Sequence, residues 1–197
     1  MNSLNSKDIG LASELGRKAI HMFALIIPAG LWLAPQSTSQ MVLVACFLVA
    51  IALDLVRNHQ GAAGRFVQRI LGGVLRPHEE GRFSGGTYIL AAGALCSLLF
   101  EIPVAVAAMI FIILGDTAAV FVGRYLGRIH IGHKTLEGSI GFFLAALAGT
   151  LWIPQIPMHV KVTGALVAAV AEVIPQPIDD NIVVPLVSGF VISALLC

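Results

Sequence analysis

Apolar residues run along this chain in stretches of roughly 14 to 20, each closed by a short cluster of charged, glycine or proline residues, which asks for helices able to cross a bilayer. Seven are predicted, over about residues 14–34, 40–57, 86–100, 103–123, 137–153, 160–175 and 181–197. Pro28 should kink the first, and Pro103 falls in the first turn of the fourth, where a proline is tolerated. Residues 57–85 are the longest polar stretch. There Arg65, Phe66, Arg69, Ile70 and Leu75 predict an amphipathic helix lying in the headgroup layer, punctuated by Gly72–Gly73 and Gly85–Gly86. No internal repeat or low-complexity tract interrupts the pattern. The fold class is therefore all-α, a polytopic transmembrane bundle of about seven helices, and residues 1–197 form one integral membrane domain.

Composition agrees with a bilayer as solvent. Of 197 residues, 57% are hydrophobic and 12% charged, with a mean hydropathy of +0.90, where a soluble domain carries about a quarter charged residues. A net charge of +1 gives no overall attraction for nucleic acid, so charge matters through its placement. An inside amino terminus puts Lys7, Arg17, Lys18, Arg57, Arg65, Arg69, Arg76, Arg82, Arg124, Arg128 and Lys134 on the cytoplasmic face and leaves only Lys161 outside, as the positive-inside rule requires. In a prokaryote this membrane is the plasma membrane. Cys46, Cys96 and Cys197 sit in apolar runs without C-x-x-C spacing, which argues against a disulfide framework or a zinc site. The run from His21 to Ala34 could pass for a signal-peptide core, but Glu14 precedes it and no A-x-A site follows, so we expect it to be retained.

Asp116 is the residue that most needs a partner. A carboxylate inside a membrane helix is costly unless paired, hydrated or metal-bound, and is a functional candidate by default. Its alternative is a structural pair with an arginine of another helix. Asp116, Ala119, Gly123 and Gly127 share one helical stripe, which admits either a ligand or a neighbouring helix packing on small residues. In the following loop Thr135 is a candidate N-cap, and the helix start it caps, with Lys134, could receive an anion. Glu137 could equally serve only the helix dipole. His130 and His133 are too few for zinc. Glu14, Arg17 and His21 share a face, with Lys18 i+4 from Glu14, a cluster that a helix-end ion pair also explains. Glu172, Asp179, Asp180 and Asn181 gather around the last predicted turn, where closely placed carboxylates and an amide suit Mg²⁺, and where Asp179 or Asp180 could also cap a helix. Asp54 with Arg57, and Glu79–Glu80 with Arg76 and Arg82, are read as interfacial ion pairs.

Four motifs stand in order: Glu14-x-x-Arg17-Lys18-x-x-His21; Gly115-Asp116-x-x-Ala119-x-x-x-Gly123-Arg124-x-x-Gly127; Lys134-Thr135-x-Glu137-Gly138-Ser139; and Glu172-x-x-Pro175 with Asp179-Asp180-Asn181 and Pro185. Together they resemble the CTP-dependent lipid kinase family, which includes dolichol, phytol and CTP-dependent diacylglycerol kinases, over about residues 14–190. Many members carry a second lysine where this chain has His133, and the chain is close to the family's minimal core. The resemblance implies transfer of the γ-phosphoryl group of CTP to the hydroxyl of a lipid alcohol, a polyprenol, a phytol-like alcohol or diacylglycerol, with Mg²⁺ at a cytoplasmic site. Arg17, Lys18, Gly123, Arg124, Lys134, Thr135 and Ser139 would contact the nucleotide phosphates. Asp116, Glu137, Asp179, Asp180 and Asn181 would be the candidate metal ligands, and Asp116 or Asp180 the proton acceptor. Glu14, His21 and Glu172 complete the set, and a homo-oligomer is compatible with it. The related phosphatidate cytidylyltransferases would instead form a CDP-lipid; their longer signature rich in Lys-Asp and His-Gly-Gly is not seen near this carboxy terminus. A transporter using Asp116 and Glu172 as ion sites is a third reading, disfavoured by the scarcity of acids deep in the helices.

Overall fold

The computed structural model describes residues 18–19, 21–59, 61–71, 81–175 and 177–197. Glu14, Arg17, Gly72–Gly73, Leu75, Arg76, Glu79 and Glu80 lie outside the described residues. Among the described residues the chain is all-α apart from one small hairpin: α1 (Ile26–Leu33), α2 (Gln36–Asn58), α3 (Ala62–Leu71), α4 (Gly85–Leu99), α5 (Ile102–Leu126), β1 (His130–Ile131), β2 (Lys134–Thr135), α6 (Leu136–Thr150), α7 (Met158–Val173) and α8 (Asp180–Leu196). Among the described residues each predicted apolar run carries a helix, the first of them as α1 over its second half only. α2 and α5, of 23 and 25 residues, are long and apolar enough to cross a membrane, while α4, α6 and α8 are shorter apolar helices. The two-residue strands were not anticipated, because a pair of residues carries no periodicity.

Helix ends follow local chemistry. The first helical stretch is interrupted one turn before Pro28: Ala24 and Leu25 form a turn, and the Ile27 N–H reaches the Ala24 carbonyl at 2.9 Å. Pro28 has no N–H to offer that carbonyl, and its ring crowds it. Pro103 sits in the first turn of α5 as expected. Ser84, Thr135 and Asp179 cap α4, α6 and α8, their side chains accepting from the Thr87, Gly138 and Asn181 N–H groups, each relieving a donor that the helix start leaves unpaired.

α5 is the central post. Residues 104–113 are buried throughout, and α1, α4, α6, α7 and α8 all pack on it. Gly115 lets the Phe142 ring lie against the α5 backbone, since a Cβ there would stand 2.6 Å from the ring. By contrast α2 stands at the edge, packed on α4 and α3, and leaves Met41, Val42, Leu48 and Val49 exposed. α3 presses on the end of α2 through Gly64 and carries Arg65, Phe66 and Arg69 outward. At the end of α6 remote from the hairpin, Trp32 and Trp152 meet edge to face at 4.8 Å, and buried Lys161 donates to the Leu151 carbonyl at 3.2 Å.

The Asp54–Arg57 pair forms, but as a buried clamp between α2 and α4. Its groups stand 3.1 Å apart with side chains 4% and 3% exposed. Asp54 also accepts from the Ser84 N–H at 2.8 Å and the Thr87 hydroxyl at 2.5 Å, while Arg57 donates to the Arg82 carbonyl.

Candidate active site

Asp116 lies ten residues before the end of α5, about 15 Å along the helix from its last residue at 1.5 Å per residue. Its Oδ2 accepts from the Lys18 ammonium at 2.5 Å and faces His21 Nε2 at 3.4 Å. Lys18 also reaches the Asp116 main-chain carbonyl, at 3.3 Å. Three residues apart, Lys18 and His21 share a helical face, so the segment before α1 delivers both to one carboxylate. Lys18 and His21 thus find their carboxylate on another helix, whereas Glu14 and Arg17 of the same predicted cluster lie outside the described residues.

A second cluster forms around Lys134. α5 ends where the Gly127 N–H returns to the Gly123 carbonyl at 3.1 Å, and the chain turns back through the β1–β2 hairpin, with His130 opposite Thr135 and Ile131 opposite Lys134. Gly132 makes that turn possible with φ +62°, a conformation costly for other residues. Glu137 locks the loop by accepting from the Ile129 N–H at 3.2 and 3.3 Å. The Ser139 hydroxyl donates to the Thr135 carbonyl at 3.2 Å. So held, Lys134 reaches Glu172 Oε1 at 2.8 Å and Asp180 Oδ2 at 3.0 Å, and also donates to the Glu172 main-chain carbonyl. Burial alone would lower the Lys134 pKa, but the hydrogen bonds and charges of Glu172 and Asp180 outweigh it and raise it above the ordinary lysine range.

Two ammonium groups thus face three carboxylates delivered by separate stretches of chain: Lys18 before α1, Asp116 on α5, Lys134 on β2, Glu172 on α7 and Asp180 on α8. The contacts fall into two sets, Lys18 with Asp116 and Lys134 with Glu172 and Asp180. Of these acids Glu172 is the most buried, its side chain 7% exposed, against 23% for Asp116 and 41% for Asp180.

Other predicted residues sit around this centre in supporting positions. A Cβ on Gly123 would come within 2.8 Å of Thr135 Oγ1, and one on Gly138 within 2.9 Å of the Ala119 carbonyl. The small-residue stripe of α5 is therefore filled by the start of α6, the helix-packing alternative. Arg124 is exposed on the last turn of α5. Asp179 caps α8, its Oδ1 3.0 Å from the Asn181 nitrogen, and Asn181 is buried beside it. Glu137 accepts from the Ile129 N–H at the foot of the hairpin.

Among the described residues no group of three or more His, Cys, Asp or Glu side chains is placed to hold a metal ion. Mg²⁺ does not require one, because it keeps several waters and binds through one or two carboxylates plus substrate phosphates. Asp116 on α5 and Asp180 on α8 are carboxylates able to give such oxygen ligands, each now facing a lysine.

The chain is 25% identical over 207 aligned positions, covering 93% of it and 94% of the relative, to CTP-dependent diacylglycerol kinase 1 of Schizosaccharomyces pombe. It is also 28% identical over 137 residues, 68% of this chain and 67% of the relative, to an uncharacterized protein of Rickettsia prowazekii. No protein-family model and no solved structure matches it. The likeness to the kinase is distant.

Proposed function

We propose that this protein is a multi-pass membrane kinase, of the CTP-dependent lipid kinase family, that transfers the γ-phosphoryl group of CTP to the hydroxyl of a lipid alcohol at the cytoplasmic face. The observation that supports the reading is the pairing across helices of Lys18 with Asp116 and of Lys134 with Glu172 and Asp180, beside a likeness to a CTP-dependent diacylglycerol kinase that runs nearly end to end. A membrane setting is supported by two helices long and apolar enough to span it and by the large apolar side chains that α2 turns outward. The orientation follows the basic residues, with Trp32, Trp152 and Lys161 at the opposite end. Diacylglycerol is the acceptor to test first; polyprenols and phytol-like alcohols share its reacting hydroxyl.

Phosphoryl transfer needs positioning and charge neutralisation more than covalent help. Lys18 and Lys134, joined by Arg17 and Arg124, would hold the triphosphate oxygens. Asp116 and Asp180, with Asn181, would hold Mg²⁺, which would supply positive charge to offset that of the phosphates. The alcohol oxygen forms a bond to the γ-phosphorus as the bond from that phosphorus to the β,γ-bridging oxygen breaks. The hydroxyl proton passes to Asp180 or Asp116, onto a carboxylate oxygen not given to the metal, and CDP leaves.

The test incubates purified protein with γ-labelled CTP or ATP, Mg²⁺ and a panel of diacylglycerol, phytol and polyprenols. Label transferred from CTP into a lipid phosphate is the expected result. Label that stays wholly in nucleotide or pyrophosphate rejects the kinase, and a CDP-lipid product would identify a cytidylyltransferase instead.

A further inference from the structure

The two carboxylates that face Lys134 are not equivalent. Glu172 grips the ammonium twice, through Oε1 at 2.8 Å and through its own main-chain carbonyl, near the end of α7 where the helix dipole is negative. Its side chain is 7% exposed, so losing the lysine would leave a buried charge without compensation. Asp180 makes one contact, at 3.0 Å, from a side chain 41% exposed. Water can take the place of its partner. A lysine ammonium has three N–H donors, and these three contacts use all of them.

From this asymmetry, and resting on the functional reading above, we infer that Glu172 is the fixed counter-ion that positions Lys134, whereas Asp180 is the exchangeable one. When nucleotide arrives, the donor that Lys134 gives to Asp180 turns to a phosphate oxygen, and the Asp180 carboxylate is released to the divalent cation. Lys134 never leaves Glu172. Metal and nucleotide therefore bind cooperatively, because each removes a partner that the other's ligand must give up. Glu172 is a positioning residue and does not touch the reacting atoms.

The distinction is tested by equilibrium Mn²⁺ binding to the full chain in detergent, followed by electron paramagnetic resonance with and without a non-hydrolysable CTP analogue. In the wild-type protein the analogue should tighten Mn²⁺ binding at least ~10-fold, within the usual range of coupling between two ligand sites. Asp180→Asn should abolish that tightening. Lys134→Met should raise Mn²⁺ affinity in the absence of nucleotide, since Asp180 is no longer held, a gain that a purely structural bridge would not produce. Glu172→Gln should keep the Mn²⁺ site while raising KM for CTP about 10-fold at little cost in kcat. If Glu172→Gln does not fold, the exposed Asp180→Asn and the Lys134→Met gain decide the matter. Tightening retained by Asp180→Asn, or no gain in Lys134→Met, overturns the inference alone. A wild-type protein whose Mn²⁺ binding ignores the analogue overturns it together with the kinase reading.

Discussion

Replacing Asp116 by Asn separates chemistry from folding because the two side chains are nearly the same size. The change removes the charge that Lys18 meets at 2.5 Å with its side chain only 11% exposed, but leaves an amide oxygen that still accepts the hydrogen bond. A hydrogen bond to a charged group contributes about 1.5–3 kcal/mol. The retained acceptor and the 23% exposure of Asp116 favour the lower part of that range, about 2 kcal/mol. For a chain of this size that is a fall in Tm of roughly 4–8 °C, with helical content intact. Catalysis should suffer far more. In the metal-holding role proposed for Asp116, losing its charge should cost about 10²–10³ in kcat, the scale seen when one electrostatic contact to a transition state is removed. The assay pairs γ-label transfer from CTP with thermal unfolding followed by circular dichroism. Activity above a tenth of wild type would remove Asp116 from the metal role, and an unchanged Tm would contradict the Lys18 pairing.

Gly138→Val should destabilise the protein by about 1–3 kcal/mol, the usual cost of overpacking, because even a Cβ would meet the Ala119 carbonyl at 2.9 Å; a wild-type melting curve would show that α6 does not press on α5 there. Asp54→Ala removes the carboxylate that buried Arg57 meets at 3.1 Å and that accepts from Ser84 and Thr87, and should cost about 3–5 kcal/mol, while KM for CTP in the folded fraction stays put; a raised KM would place this clamp in the nucleotide site. Lys134 has a raised pKa, so its bridge contributes fully below the ordinary value of 10.5 and is lost as pH climbs through the higher folded value. Thermal stability followed into that alkaline window should therefore show a fall that Lys134→Met lacks, and identical profiles would refute the bridge.

How much of this was legible in the linear chain depends on the range of the interaction. Apolar runs, Pro28, Pro103 and the cap at Thr135 act within a turn or two, so the helices and most of their ends could be read directly. The amphipathic register of Arg65, Phe66 and Arg69 was likewise local. Ambiguity began where one pattern has two causes. The stripe of Ala119, Gly123 and Gly127 fits a ligand or a helix equally, and only the start of α6 lying against it decided for the helix. Asp179 and Asp180 were interchangeable as neighbours in sequence; in space one caps α8 and the other faces Lys134.

By itself, then, the sequence determined an all-α chain of apolar helices, its charge asymmetry and the residue types able to do phosphate and metal chemistry. The tertiary structure alone decided which of them meet. Lys18 and Asp116 are 98 positions apart and Lys134 and Glu172 are 38 apart, distances over which no periodicity acts. Their meeting is set by how α1, α6, α7 and α8 pack around α5, and by a two-residue hairpin, pinned by Glu137 and Gly132, that swings one lysine toward two acids. Burial was settled at the same level. Glu172 became the deepest of the three site carboxylates because of what surrounds it, a property no residue carries in its name.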